Sequence, residues 1–450
     1  MACCLGMKKH FVYLLSITFI SITFSSCIEV ENPYSKIPPG KWRAVLKLDQ
    51  KWMPGESLTK AAMNNDLQRN TKNVAGGELP INFEVIYTTS DDFYIELING
   101  EERMKLEDIT FGRDKATAKD TLRINFPVFD SHIELLCQED HMEGRWVRRN
   151  RENYAIPFYA KHGQTYRFTN LKKSPIMDVS GKWEVTFEEE DGSTSKAIGE
   201  FVQNGNDLTG TFMTETGDYR FLEGTVQNNK FYLSTFDGAH AFLFEAVIND
   251  DQTLEGIFRS GNHYQAYWTA KRNDAFALGD ANKLTYLNEG YDKIAFSFEN
   301  PEGKTISLEN PEYQNKVKLV QILGTWCPNC RDETKFINTY LKDNPNDDLK
   351  VIGLAFEAYR NKEKSDQLIN IYKEQFGIDY EILYAGYRDK GEASKALPMI
   401  NEVISYPTMI FIDKKDQIRK IHTGFSGPAT STFKDYKKEF ERFVSQLLAE

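Results

Sequence analysis

The chain has 450 residues, 40% of them hydrophobic and 27% charged, with 55 Lys and Arg set against 66 Asp and Glu for a net charge of −11. That balance excludes a disordered polymer and leaves room for several domains with cores of their own. The acidic charge, without a basic stripe, speaks against nucleic acid as a partner, because phosphate binding rests on clustered Lys and Arg.

Six cysteines stand at positions 3, 4, 27, 137, 327 and 330, too few and too scattered for a disulfide-stapled framework. In chain order, Lys8, Lys9 and His10 precede an apolar run over residues 11–24 that is too short for an ordinary membrane span. Residues 1–27 therefore read as an export signal, with Met7 as an alternative start. Ser25-Ser26 directly before Cys27 resembles the lipobox of bacterial lipoproteins, which implies lipidation of Cys27; Phe24 departs from the aliphatic residue usual there. An ordinary secretory signal with an incidental cysteine, or an uncleaved anchor, stays open as an alternative. Residues 28–39 read as a tether closed off by Pro38-Pro39-Gly40.

Residues 40–172 alternate apolar and polar positions in short runs such as INFEVIY, DFYIELI and LRINFPVF, which predicts an antiparallel β-rich module. A second such module spans residues 179–273, with WEVTFEEE, RFLEGTV, KFYLSTF, HAFLFEAVI, TLEGIF and AYWTAKR at the spacing of a barrel or sandwich. The two look like copies of one unit. Gly40-Lys41-Trp42 matches Gly181-Lys182-Trp183, Phe129-Asp130 parallels Phe236-Asp237, and Glu143-Gly144 parallels Glu255-Gly256, in the same order. The first copy is longer by a polar insertion at residues 63–77, read as a loop. Trp42, Trp146, Trp183 and Trp268 read as core aromatics rather than a sugar platform, and Cys137 as a small buried hydrophobe.

Residues 274–289 read as a linker, with Leu278, Leu284 and Leu287 suggesting a short helix. Residues 290–450 then change pattern. Two short β runs around Pro301-Glu302-Gly303-Lys304 suggest a hairpin, and the apolar run 317–323 leads into Gly324-Thr325-Trp326-Cys327-Pro328-Asn329-Cys330. Phe336, Ile337, Tyr340 and Leu341 follow at helical spacing, so the two cysteines sit on a strand-to-helix junction. At a helix N-terminus the Cys327 sulfur faces partly positive backbone N–H groups that favour its thiolate, and Cys330 lies one turn further on. A continuous apolar run at 349–356 suits a buried parallel strand, an amphipathic helix follows at 365–376, and Tyr406-Pro407 before the strand-like 408–412 is a candidate cis peptide. A last strand at 419–423 and an amphipathic helix over 433–448 close the chain.

These residues, with Glu333, Glu357, Thr408 and Gly424, resemble the thioredoxin fold and, more closely, the TlpA-like or ResA-like membrane-tethered thiol-disulfide oxidoreductases. The fold class expected is thus multi-domain, an α/β thioredoxin-like domain preceded by two tandem antiparallel β-rich modules. The resemblance implies that Cys327 attacks, that Cys330 resolves the mixed disulfide, and that Glu357 handles the proton of Cys330. It also implies a substrate groove lined by Trp326, Pro328, Tyr406 and Pro407. The chain departs from thioredoxin at Gln321, where the family carries a buried Asp. No cofactor is expected beyond the redox-active pair, and half of a zinc site is the competing reading of the two cysteines. Glu333 reads equally well as a favourable acid in a first helical turn. His422 reads as a surface or packed residue.

The expected function is an envelope thiol-disulfide oxidoreductase, lipid-anchored and facing the periplasm or cell surface. Its implied partners are a protein disulfide as substrate and an upstream thiol donor. Reduction is the expected direction, which the sequence does not fix. The alternative is a cell-surface binding lipoprotein whose thioredoxin-like domain is accessory or redox-sensing.

Overall fold

The computed structural model describes residues 34–49, 76–189 and 191–450. The export signal, Cys27, the tether before residue 34 and the insertion before residue 76 lie outside the described residues.

Alternation along the strands builds the β modules. In Gly181–Glu188 the buried positions are Trp183, Val185 and Phe187, and in Tyr264–Arg272 they are Ala266, Trp268 and Ala270, so every second side chain points into one core. The first module is a nine-stranded antiparallel meander running from Gly40–Lys47 to Ala155–His162, with those two strands paired and with Glu102–Leu106 and Ile109–Arg113 at the edges. The second closes on itself. Thr194–Asn204 pairs with both Gly181–Glu188 and Asp207–Thr214, and the last strand, Tyr264–Arg272, returns to the first, giving an eight-stranded up-and-down barrel. Its interior is filled by aromatic rings, with Phe212 stacked on Phe244 at 4.2 Å and Phe244 on Phe258 at 4.5 Å.

The matched sequence features occupy matched places. Trp42 and Trp183 are fully buried, and each donates its indole N–H to a carbonyl four residues earlier, Pro38 and Val179. Gly144 and Gly256 each lie against a neighbouring strand where a Cβ would come within 1.9 Å and 2.1 Å of the carbonyl oxygens of Glu134 and Glu245. No larger residue fits either place. Two strands of the barrel, Thr194–Asn204 and Asp207–Thr214, were not expected from the sequence, because Ser, Lys, Gly and Thr dilute their apolar alternation. Cys137 is buried beside the first module's core, and burial pushes its thiol up to about 12.

Residues 275–290 form no helix. Leu287 pairs with Ile400 in an isolated bridge, the Asn288 amide donates to the carbonyls of Pro398 and Ile400, and Thr423 N–H donates to Ala281, so the segment is strapped irregularly along the C-terminal domain. Tertiary hydrogen bonds outcompete the weak helical spacing. His422, on the last strand, packs against this segment, with a ring nitrogen 2.9 Å from Asn282 Oδ1.

The C-terminal domain runs β1 (Ser297–Glu299), β2 (Thr305–Ser307), β3 (Val317–Leu323), α1 (Pro328–Asp343), β4 (Leu349–Glu357), α2 (Lys362–Phe376), β5 (Glu381–Tyr387), α3 (Lys390–Ala396), β6 (Thr408–Ile412), β7 (Ile418–Thr423) and α4 (Phe433–Ala449). Its sheet has the order β2-β1-β5-β4-β3-β6-β7, with β3, β4 and β5 parallel and the others antiparallel to their neighbours. Every residue of β3 is buried, as a central strand covered on both faces requires. Gly377 ends α2 in the left-handed conformation at φ 59°, where glycine carries no steric penalty.

Candidate active site

The end of β3 delivers the cysteines. Cys327 is the N-cap of α1, Pro328 takes the first helical position, where its missing N–H costs nothing, and Cys330 donates its backbone N–H to Cys327 Sγ at 3.2 Å. The two cysteines are joined as a disulfide with Cα atoms 5.2 Å apart. Cys330 is fully buried, whereas Cys327 retains 6% exposure and its sulfur lies 3.5 Å from the Tyr406 carbonyl oxygen. That order of exposure suits an outer attacking sulfur and an inner resolving one.

Tyr406-Pro407 is a cis peptide immediately before β6. The Tyr406 ring meets Trp326 edge to face at 5.5 Å, its hydroxyl donates to the Arg388 carbonyl at 3.2 Å, and Trp326 donates its indole N–H to Phe356 O at 2.9 Å. Trp326, Pro328, Tyr406 and Pro407 are thus gathered around Cys327.

Glu357, the last residue of β4, is fully buried. Burial raises its carboxyl to about 7, against the opposing pull of hydrogen bonds from Thr325 N–H at 2.9 Å and Thr325 Oγ1 at 2.7 Å. Thr325 lies two residues before Cys327, so a carboxyl able to exchange a proton near neutral pH is tied directly to the redox loop. A second buried acid is Glu333. It lies beyond the first turn of α1 and fully buried, accepts a hydrogen bond from Gln321 Nε2 at 2.8 Å, and is raised by burial to about 8. Glu333 is thus not an acid of the first helical turn, and the helix face that carries it packs onto β3. The polar place at Gln321 and the acid one helical turn after Cys330 are partners, a pairing that spacing along the chain does not display.

The barrel reaches this site. Its hairpin, in which Met213 pairs with Asp218 and Thr214 with Gly217, turns at Glu215-Thr216 against the catalytic domain. Thr216 O accepts from Ser405 Oγ at 2.9 Å, Asp218 O accepts from Asn329 Nδ2 at 3.1 Å, and a Cβ on Gly424, at φ 80°, would come within 2.6 Å of the Thr216 carbonyl carbon. Asn329 between the cysteines, the residue before Tyr406 and the glycine after β7 are therefore all covered by one hairpin. Beneath it, Arg220 is paired with Asp332 at 2.8 Å, with Asp237 at 3.0 Å and with Glu102, and Arg331 reaches Glu102 at 3.3 Å. One buried charge cluster thereby joins both β modules to α1. Glu102, Arg220 and Asp332 lie more than a hundred positions apart, and no local signal marks them.

The Redoxin family matches residues 289–439. The chain is also similar to the Thioredoxin-like protein YneN of Bacillus subtilis (strain 168), 28% identical over 144 residues that make up 32% of this chain and 76% of the relative. Among solved structures it is similar to a thiol:disulfide interchange protein of the thioredoxin family from Chlorobium tepidum TLS, at 20% identity, 36% of this chain, 98% of that chain and a TM-score of 0.27. A thiol-disulfide oxidoreductase from Bacteroides fragilis NCTC 9343 aligns at 18% identity, 33% of this chain, 99% of that chain and a TM-score of 0.25. At those TM-scores the solved structures add nothing to the assignment, which stands on the family match and the geometry of the cysteine loop. The C-terminal third of this chain is a Redoxin domain with a thioredoxin-like fold.

Proposed function

We propose that the protein reduces protein disulfides by dithiol-disulfide exchange through Cys327 and Cys330. The observation that carries this reading is the disulfide at the N-cap of α1, with its outer sulfur beside the Tyr406 carbonyl and its loop tied to the buried Glu357. In the reduced protein the Cys327 thiolate attacks one sulfur of the substrate disulfide, the substrate S–S bond breaks, and the departing thiolate takes a proton. Cys330 then gives up its proton, with Glu357 as acceptor, and attacks Cys327 Sγ. The mixed disulfide breaks, the second substrate thiol leaves, and two electrons have passed from the dithiol to the substrate. An upstream thiol donor of the same chemistry restores the dithiol.

The pattern at residues 1–27, with Cys27 as the lipid-bearing residue, supports a tethered enzyme in a bacterial envelope, an oxidising compartment in which a dedicated reductant is useful. The contact of the barrel hairpin with the redox loop favours the β modules as parts of the catalytic machine over the reading in which the redox domain is an appendage. A redox titration of the full chain tests the direction. A potential near thioredoxin's, about −270 mV, is expected, and one near about −120 mV, that of a strong oxidant, would sink the reductase reading.

A further inference from the structure

Three arginines, Arg148 and Arg151 on the first β module and Arg388 beside Trp326, stack on aromatic rings. Arg148 and Arg151 line a cleft of about 590 Å³ on the first β module, together with Arg149 and Tyr154. The Arg148 guanidinium lies 5.7 Å and that of Arg151 5.8 Å from the Tyr154 ring, so one aromatic ring serves two like charges. Arg148 is 93% buried by its 7% exposure, and the Nε atoms of both residues are buried without a hydrogen-bond partner. Arg388 stands on the catalytic side with its guanidinium 5.4 Å from the Trp326 ring, while its own backbone N–H donates to Glu357 O at 2.9 Å. Burial above all pulls Arg148 down to about 10, with Arg151 and Arg388 adding to the fall and Tyr154 and the Asp237 carboxylate opposing it.

Glu134 and Glu152 also line the cleft, against the four arginines Arg145, Arg148, Arg149 and Arg151, and the other carboxylates nearby are paired. Glu134 pairs with Arg145, Asp130 with Arg149 and Lys364, and Asp237 with Arg220. Among the described residues no ion pair is formed by Arg148, Arg151 or Arg388. A desolvated guanidinium without an anion is unfavourable, and Arg is the side chain whose planar fork matches a carboxylate. In a chain of net charge −11 this concentration of positive charge is a local exception.

We propose that Arg148 and Arg151, with Arg388 at the edge nearest Trp326, form a carboxylate-binding subsite that receives acidic residues flanking the disulfide of the protein substrate. The inference rests on the exchange reading above and names the substrate class for it. Because Arg388 touches the residue before Cys327, a carboxylate held there places its neighbouring disulfide at the attacking sulfur.

The test uses the full chain in its reduced form and two synthetic peptides that share one internal disulfide, flanked by Asp and Glu in the first and by Asn and Gln in the second. The acidic peptide is expected to react about tenfold faster at low ionic strength, with the ratio shrinking toward one in about 0.5 M salt. Arg151→Gln and Arg388→Gln, the two less buried positions, should each cut that ratio at least about threefold, and Arg151→Lys should keep most of its salt-dependent part. Reaction of both peptides at equal rates overturns the subsite and leaves the exchange reading standing. A ratio that survives both Gln variants also overturns it. Reaction of neither peptide would fell the exchange reading and the subsite with it.

Discussion

Replacing Arg220 with Met is expected to loosen the junction of all three domains. The guanidinium is 5% exposed and holds Asp237 at 3.0 Å, Asp332 at 2.8 Å and Glu102 at once. Met keeps the length and apolar stem of the side chain, so the substitution removes charge and hydrogen bonds rather than volume. It leaves carboxylates that are 1%, 12% and 14% exposed, with Arg331 as the remaining cation, 3.2 Å from Asp332 and 3.3 Å from Glu102. Removing one partner of a buried ion pair costs about 3–5 kcal/mol, and the surviving Arg331 contacts place the expected loss near the lower end, about 3 kcal/mol. Urea unfolding of the full chain, followed in parallel by tryptophan fluorescence and far-ultraviolet dichroism, reads the loss as a lower midpoint. The two probes should also separate, since a weakened junction lets the domains unfold independently. Adding Asp332→Asn to Arg220→Met should recover part of the loss, giving a coupling of at least about 1 kcal/mol in the double-mutant cycle. A loss below about 1 kcal/mol with no coupling would refute the reasoning, because it would mean the carboxylates are hydrated and the junction does not bury them.

Glu357→Gln should flatten the pH dependence of stability. The folded carboxyl titrates at about 7 against an ordinary 4.5, so the native state holds a proton that the unfolded chain has released. Stability therefore declines as pH rises from 4.5 through 7, by of order 3 kcal/mol at most, and the Gln variant should lose that decline in melts taken across the range. The same variant should remove an inflection near pH 7 from the single-turnover rate of the resolving step. Gly424→Ala, at φ 80° and with the Thr216 backbone in the way of a Cβ, should displace the barrel hairpin and expose residues 214–217 to limited proteolysis; unchanged protection would show that the hairpin does not rest there. Phe244→Ala removes a ring stacked on both Phe212 and Phe258 and should cost about 3–5 kcal/mol in chemical unfolding, with the barrel signals lost first.

The redox half of the site is legible in the sequence because its residues are local. Cys327, Pro328 and Cys330 follow one strand, Glu357 ends the next, and Tyr406-Pro407 opens another, so strand order alone brings them together. What surrounds that site is not legible. Arg220 answers Asp332 across 112 positions and Asn329 answers Asp218 across 111, contacts set by how the three units of the chain dock. The closure of the barrel was hidden for a different reason, since Thr194–Asn204 and Asp207–Thr214 are held by pairing on both sides and need little apolar alternation of their own. The 275–290 segment shows the reverse error, a helical spacing overruled by hydrogen bonds to residues 398–423.

The most direct test of the account is to trap the mixed disulfide. Full-length protein carrying Cys330→Ser, mixed with a disulfide-containing peptide, is expected to form a one-to-one covalent adduct at Cys327 that mass spectrometry maps and that dithiothreitol releases. Cys327→Ser should form none at the redox pair, because the sulfur that remains there, that of Cys330, is fully buried. An adduct at Cys330 in place of Cys327, or no adduct with Cys330→Ser while the unmodified protein reduces the same peptide, would contradict the mechanism.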